Sequence, residues 1–221
     1  MSHQLFVLLA EATLDTLYMV ALSGAIGTAL GLPLGIWLAT SGRGELLAAP
    51  LFNRIGGVLV NATRSTPFII LVVAIIPFTR LVAGTSIGTS AAIVPLTVAA
   101  TPFIARIVET AIREVDRGLV EAAEAMGATP LQIIVKVLVP EALPGILLGL
   151  TLAIVSLIGY SAMVGAVGGG GLGDLGIRYG YQRFMPEVMA AVVLLLIVLV
   201  QGIQSLGERL ARRVNKRLRT A

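Results

Sequence analysis

The polar side chains that could act chemically are few in this chain, and a conspicuous group of them lies in one short segment between apolar runs. Glu121 and Glu124 stand there among alanines, and the segment continues past Gly127 to Pro140. Small side chains at these positions would permit another molecule to seat closely against the segment. We therefore expect the segment to contact a partner, and the identity of that partner to decide the function.

Residue types that serve catalysis or bind metals are scarce elsewhere in the sequence. Cysteine is absent, and histidine occurs once, as His3, where a solvated tail residue is expected. Disulfide and thiolate chemistry are therefore excluded, and we predict no metal site, no cofactor and no enzymatic activity. No Gly-Lys pair followed by Ser or Thr occurs, so the chain lacks a Walker A loop for phosphate. Energy from ATP would have to come from another subunit.

The composition indicates a membrane protein. Of the 221 residues, 57% are hydrophobic and only 13% are charged, and the mean hydropathy is +0.95, whereas soluble domains carry about 25% charged residues. Five segments contain no Asp, Glu, Lys or Arg: 16–42, 65–79, 81–105, 142–173 and 188–207. A helix needs about 20 apolar residues to cross the hydrocarbon core.

We therefore predict an all-α membrane protein in which residues 1–221 form one transmembrane domain. The five predicted transmembrane helices lie at about 17–40, 57–79, 87–108, 146–166 and 187–207. The second of them is completed by apolar residues before 65, which puts Arg64 toward one end of the helix.

The distribution of basic residues predicts the orientation. Thirteen lysines and arginines fall in the loops and tail of one side, whereas the other side holds only Arg80, Arg178 and Arg183. Because Lys and Arg accumulate in cytoplasmic loops, we predict an outside N-terminus, a cytoplasmic C-terminus and a cytoplasmic location for the Glu121 segment. The net charge of +4 reflects this asymmetry and does not indicate nucleic-acid binding. The basic tail of the chain, which includes Lys216, Arg217 and Arg219, would meet anionic lipid.

Small residues and prolines are placed to shape the spans. Ser23, Gly27, Gly31 and Gly35 follow a four-residue spacing that permits close approach between helices. This spacing fits packing within the chain and a dimer contact equally well. The second and third spans contain Pro67, Pro77, Pro95 and Pro102. Helices interrupted in this way suit a protein that changes conformation.

Ionisable residues gather toward the ends of the predicted spans. Arg106 and Glu109 are three residues apart and can pair on one helix face. No predicted span carries an acidic residue near its centre, although such residues mark proton and ion relays. A proton-coupled carrier is therefore disfavoured.

A glycine-rich run follows the fourth predicted span, and Gly168, Gly170 and Gly173 within it match the spacing GxGxxG. In dinucleotide-binding proteins this motif follows a strand and opens a helix. Because the run here follows a transmembrane helix, we reject nucleotide binding and predict a flexible loop on the outer side.

The Glu121 segment itself predicts two short helices joined by a sharp turn. Residues from about 116 to 126 favour a helix, and Leu119, Ala122, Ala123 and Met126 recur on one face of it. Gly127 is suited to end this helix, because glycine adopts left-handed backbone angles without steric strain.

Thr129 is suited to cap a second helix, and Pro130 to occupy its first turn. This second helix is expected to stop at Pro140. The whole segment would be displayed on the cytoplasmic face, either for a partner or as a hairpin lying on lipid.

This segment resembles the EAA loop of ABC importer permeases. Glu121-Ala122-Ala123 is followed after three residues by Gly127, and then by two apolar residues and Pro140. The family pattern has Ile and Leu where this chain has valine at 137 and 139, which are mild apolar replacements. Further runs resemble the methionine importer permeases of this family, at 64–71, 76–80, 84–88, 92–97, 102–106, 125–130, 140–145 and 159–163.

The resemblance implies a type I ABC importer permease that forms a homodimer of multi-pass chains in the bacterial inner membrane. Two ATPase subunits would bind on the cytoplasmic side, and an extracytoplasmic methionine-binding protein would dock on the other side. In that family the EAA loop, here at about 113–141, forms a coupling helix that seats in a groove of the ATPase. The implied function is ATP-driven import of D- and L-methionine.

The resemblance assigns ATPase coupling to these residues of the loop: Glu121, Ala122, Ala123, Gly127 and Pro140. We expect Tyr160, Ser161 and Met163 in the fourth span to line or gate the translocation pathway, because methionine offers an adaptable apolar surface. The alternative is that these three residues only pack. Two alternative functions are an ABC permease for another amino acid or small solute, and an ATP-independent channel or carrier.

Overall fold

The computed structural model describes residues 3–215, apart from the side chain of His3, and within this range it contains helices and no strands. The predicted lipid-binding residues Lys216, Arg217 and Arg219 lie outside the described residues. The helices are α1 (His3–Thr40), α2 (Pro50–Ser65), α3 (Phe68–Ala74), α4 (Ile76–Ala83), α5 (Thr89–Arg113), α6 (Arg117–Ala125), α7 (Pro130–Ile133), α8 (Val139–Gly165), α9 (Gly171–Leu175) and α10 (Pro186–Val214). Two π-helical turns, π1 (Ile134–Leu138) and π2 (Gly176–Gln182), precede α8 and follow α9.

Four helices of the described part are long and apolar enough to cross a membrane: α1, α5, the continuous helix from Pro130 to Gly165, and α10. A fifth span is formed only if α2 and α3 are counted together, and these two helices meet at an angle of 103°. The all-α fold is therefore confirmed. The second span, which was predicted as one helix over 57–79, is instead broken into pieces.

The break in the second span has a local cause. Pro67 has no backbone N–H, and it forces the preceding Thr66 into an extended conformation, with φ −80° and ψ 125°. Helix α2 therefore ends at Ser65, and α3 leaves in a new direction. Pro95 and Pro102, by contrast, lie inside an unbroken α5, where close packing on neighbouring helices holds the chain helical.

The glycines of α1 pack against α5 within one chain. A Cβ atom added at Gly27 would lie 2.8 Å from the Cβ of Ala100, and one added at Gly31 would lie 2.7 Å from the carbonyl oxygen of Thr101. At Gly35 the backbone of α5 comes closer still. The four-residue spacing therefore serves intrachain packing, and the two helices run in the same direction.

The fourth span begins earlier than the sequence predicted. Helix α7, the turn π1 and α8 form one continuous helix, so Pro140 does not end it. Pro140 lies in the first turn of α8, directly after π1. Wider π-type turns accommodate a proline because they reroute the backbone bonds that the missing N–H would have made.

The glycine-rich run is packed, which corrects the prediction of a flexible loop. Gly171 and Leu172 are buried, and the backbone N–H of Leu172 donates to the hydroxyl of Thr16 in α1 at 2.9 Å. The N–H of Gly88 donates to the carbonyl of Gly168 at 2.8 Å. The run adopts left-handed angles at 168, 170 and 171, so its glycines serve tight turns between buried contacts.

Candidate coupling hairpin and membrane cleft

The segment after α5 forms the predicted helix–turn–helix, which we call the coupling hairpin (residues 116–139). Asp116 caps α6, because its carboxylate accepts a hydrogen bond from the N–H of Gly118 at 2.7 Å. Helix α6 ends at Ala125, and Gly127 follows with φ 79°. The N–H of Gly127 donates to the carbonyl of Glu124 at 2.8 Å, which closes the turn. The left-handed stop at Gly127 is thus confirmed.

The second arm of the coupling hairpin begins with a capping box. The side chain of Thr129 accepts from the N–H of Gln132, and the side chain of Gln132 accepts from the N–H of Thr129 at 2.9 Å. Pro130 occupies the first turn, where no partner for an N–H is needed. The predicted cap and helix start are both confirmed.

The coupling hairpin buries one side and leaves apolar side chains exposed on the other. Ala123 is 4% exposed and Ile133 is 1% exposed, and both belong to the main core. Met126 is 82% exposed and Leu131 is 70% exposed. Of the stripe that was predicted on α6, only Ala123 faces the core. The remaining apolar side chains form a surface that water would not favour.

The predicted coupling residues fall into two groups: some are exposed and available for contact with a partner, and the others shape or anchor the hairpin. Glu121 and Ala122 are exposed on α6, whereas Ala123 anchors the helix to the core. Gly127 sets the turn, and nothing lies within 4 Å of a Cβ added there. Pro140 is exposed at the base of the hairpin, where the continuous helix turns into α8.

The predicted pathway residues lie on different sides of α8. The ring of Tyr160 stacks on Phe68, with centroids 4.4 Å apart and planes 13° apart. Met163 is 48% exposed. Ser161 is buried and its hydroxyl donates to the carbonyl of Ile158 at 2.7 Å. The structure therefore brings Tyr160 to the break in the second span and turns Ser161 into the bundle.

An ion cluster joins α2 to α5 near the end of the bundle that carries the coupling hairpin, which we call the hairpin end. The buried carboxylate of Glu109 pairs with Arg106 at 2.6 Å and with Arg113 at 2.9 Å. Arg106 also donates to the side chain of Asn61 in α2 at 2.6 Å. The predicted pairing of Arg106 and Glu109 is confirmed, and it stabilises a buried acidic group that would otherwise be unfavourable.

Arg64 lies farther from the hairpin end than the sequence suggested, and it is exposed on the surface of the single chain. Its guanidinium carbon is 5.9 Å from the centre of the Phe103 ring on α5. Phe103 precedes Arg113, at the hairpin end, by ten residues, which is about 15 Å along a helix axis. Because the second span is broken next to Arg64, this residue stands at the break and not at the end of a span.

Two cavities meet at Arg64 and Phe103, and together we call them the membrane cleft. One has a volume of about 140 Å³ and is lined also by Thr66, Phe68 and Tyr160. The other has a volume of about 320 Å³ and continues along α5 toward the hairpin end. The cleft thus links the break in the second span with the ion cluster.

A family model described as "Binding-protein-dependent transport system inner membrane component" matches residues 31–220 of this chain. The chain belongs to this family. A binding-protein-dependent transport component of the inner membrane is expected to contain several apolar helices, and the described residues contain four that are long enough to cross a membrane.

Named relatives of this inner membrane component match three quarters or more of the chain. A protein of Vibrio cholerae, named "Probable D-methionine transport system permease protein MetI", is 60% identical over 210 residues, which are 95% of this chain and 93% of that protein. A D-methionine transport system permease protein MetI of Escherichia coli K12 is 52% identical over 165 residues, or 75% of this chain and 76% of that one.

Solved structures share the fold of the inner membrane component. A chain from inward-facing conformations of the MetNI methionine ABC transporter has a TM-score of 0.96 and 50% identity, over 98% of this chain and all of that chain. A chain from an amino acid ABC transporter with histidines has a TM-score of 0.78 at 21% identity, with 94% of both chains covered. This second likeness concerns the fold alone.

Two features of this inner membrane component were not found from the sequence. The stack of Phe68 on Tyr160 joins residues that are far apart in the chain, and no local pattern marks it. The position of Arg64 did have a signal, because Arg-Ser-Thr-Pro inside an apolar stretch points to a helix that ends within the span.

Proposed function

We propose that this chain is the permease subunit of an ATP-driven methionine importer. The observation that carries the proposal is the 60% identity, over nearly the full length of both chains, to a protein named as a D-methionine transport permease. The structural neighbour from a methionine ABC transporter supports the same assignment. Methionine stereoisomers and related amino acids are the candidate substrates.

In this proposal residues 1–221 form one transmembrane domain that acts as a homodimer. Two separate ATPase subunits bind at the hairpin end, which is the cytoplasmic side, and a methionine-binding protein docks at the opposite end. The N-terminus then lies outside and the C-terminus inside. The charge asymmetry of the loops supports this orientation, and the missing Walker A loop supports the separate ATPase.

The coupling hairpin, within a loop at about 113–141, transmits ATPase closure to the bundle. Glu121 and Ala122 contact the ATPase, Ala123 ties the contact helix to the core, and Gly127 fixes the angle between the two arms. Pro140 links the second arm to α8. The continuity of the second arm with α8 supports this role, because a push on the hairpin moves a rigid helix that extends to Tyr160 and Met163.

The translocation pathway passes along the face of α8 that carries Tyr160 and Met163. The exposed thioether of Met163 and the stacked pair of Tyr160 with Phe68 present adaptable, partly apolar surfaces. Ser161 contributes by holding its helix turn within the bundle beside these two residues. The ligand shifts the populations of inward and outward states through its different affinities for them.

The test is uptake of labelled methionine into vesicles that contain this chain with its ATPase. Uptake is expected only with ATP and with the liganded binding protein. Unlabelled D- and L-methionine should compete, whereas uptake that competes only with a different amino acid would assign another substrate. Uptake without ATP would contradict the importer and favour a channel or carrier.

A further inference from the structure

Arg64 places an exposed charge partway along a membrane-spanning bundle. It lies in the last turn of α2, directly before the 103° break of the second span. Its neighbour on α5, Phe103, is about 15 Å from Arg113 at the hairpin end, and about 21 Å from Thr89 at the other end of α5. Charged residues inside membrane spans are unfavourable unless they serve a pathway or a partner group.

Arg64 lacks the acidic partner that the neighbouring arginines have. Arg106 and Arg113 share the carboxylate of Glu109, whereas no carboxylate among residues 3–215 lies within ion-pair distance of Arg64. The ring of Phe103 faces its guanidinium instead. A cation–π contact of this kind is not a hydrogen bond, so it does not itself use the N–H donors of the guanidinium.

The two cavities beside Arg64 have volumes of about 140 and 320 Å³ and are lined by both polar and apolar side chains, Glu114 among them in the larger one. The smaller cavity of the membrane cleft places Thr66 and Tyr160 beside Arg64, together with apolar side chains of α3 and α5. The larger cavity leads from Arg64 toward the hairpin end. Broken helices in membrane transporters commonly form substrate sites near the middle of the membrane.

We propose that Arg64 binds the α-carboxylate of the amino acid on its way through the membrane cleft. The guanidinium offers two parallel N–H donors, which suit a carboxylate, while the aromatic and aliphatic lining accommodates a thioether side chain. The proposal rests on the proposed function, because it takes the transported molecule to be an amino acid. It makes Arg64 a determinant of specificity for substrates that carry a free carboxylate.

The first experiment measures uptake by complexes with Arg64→Gln, Arg64→Lys and Arg54→Gln in vesicles with ATPase and binding protein. Arg64→Gln should reduce methionine uptake by about tenfold or more, which is the size expected when a charged hydrogen-bonding partner is lost. Arg64→Lys should restore part of the uptake, because it keeps the charge without the planar donor pair. Arg54 is the matched control, since it is exposed on the same helix nearer the hairpin end, and its substitution should leave uptake unchanged.

ATP hydrolysis stimulated by the liganded binding protein is the second readout of these variants. It should stay within about twofold of the unsubstituted complex in Arg64→Gln, because coupling does not pass through the carboxylate site. An equal loss of uptake and stimulated hydrolysis would make Arg64 a structural residue and overturn the proposal. Unchanged uptake in Arg64→Gln would overturn it as well.

A second experiment does not depend on which substrate is transported. Because the chain has no cysteine, Thr66→Cys introduces a single thiol into the lining of the cleft. The thiol is reacted separately with a negatively charged and with a positively charged methanethiosulfonate. Each reaction rate is measured from the increase in the mass of this chain. The rate with the negative reagent divided by the rate with the positive reagent should fall about tenfold when Arg64→Gln is added. The reason is that the nearby cation attracts the negative reagent and repels the positive one.

The two experiments distinguish a failure of the proposed function from a failure of the proposed carboxylate site. A complex that shows no ATP-dependent methionine uptake before substitution contradicts the proposed function, while a large change in the thiol rate ratio would still identify Arg64 as an accessible cation. An unchanged ratio would mean that another subunit neutralises Arg64 in the assembly. That result would overturn the carboxylate site whatever the transported substrate.

Discussion

Gly127 offers the sharpest test of how the coupling hairpin works. Its φ of 79° lies in the left-handed region, yet no atom stands within 4 Å of an added Cβ. A valine at this position would therefore meet no neighbouring side chain and would act only through the backbone. An L-residue in left-handed angles is destabilised by about 1–2 kcal/mol, and a β-branched residue is disfavoured further.

This strain predicts the size of the effect on transport. A change of about 1–2 kcal/mol lowers the equilibrium constant between the native turn and other backbone arrangements by a factor of about 5–30, so Gly127→Val should lower ATP-driven uptake by up to that factor if the turn must be intact. Insertion and folding of the membrane helices should be unaffected, because the turn lies outside them. The assay is uptake per inserted complex, with amounts measured by immunoblot.

Two control substitutions test whether the loss comes from the backbone conformation at Gly127. Gly127→Asn should retain most of the uptake, because asparagine tolerates left-handed angles. Gly202→Val makes the same exchange at an equally open position of α10 that has helical geometry, and it should be nearly neutral. Full uptake by a well-inserted Gly127→Val protein would refute the coupling role, as would an equal loss in Gly202→Val.

Three further substitutions test other parts of the molecule. Gly35→Val should overpack the contact with the backbone of Ala105 on α5 and lower the free energy of unfolding by about 1–3 kcal/mol, which is measured as a lower melting temperature in detergent. Gly57→Val, at an open helical position, should leave the melting temperature unchanged. Glu109→Gln should lower the stability of the bundle by about 1–3 kcal/mol. This loss is smaller than the loss expected on breaking a fully buried ion pair, because both arginine partners reach the surface. An unchanged melting temperature would contradict this prediction. Met163→Ala should change methionine uptake or raise ATP hydrolysis in the absence of substrate, and no change in either would assign Met163 to packing.

The coupling hairpin could be predicted from the sequence because its signals are local. Gly127 stops one helix and Thr129 with Pro130 starts the next, and neither effect needs a distant partner. The spacing of apolar runs likewise predicted the helical bundle. Which face of α6 packs was not predictable, because it depends on how α6 folds back against α7 and π1 after the turn at Gly127.

Features that depend on long-range contacts escaped sequence reasoning. The glycine-rich run was expected to be loose, but Thr16 supplies a hydrogen bond across 156 positions that holds it in the bundle. Pro140 was expected to end a helix, yet the π-helical turn before it lets the helix continue. Arg64 was placed near a span end because the interruption predicted at Pro67 was not expected to break the second span by 103° beside it.

The measurement that tests the central claim most directly is a crosslink from the coupling hairpin to the ATPase. Met126→Cys places a single thiol at a position that is 82% exposed in a chain without cysteine, and a photoreactive maleimide attached there can capture whatever protein touches it. Phe184→Cys, at a position that is 85% exposed outside the hairpin, is the matched control. The Met126 probe should capture the ATPase subunit in the membrane-bound complex, and the Phe184 probe should not. Absence of the ATPase from the Met126 product, in complexes that still transport, would contradict this prediction.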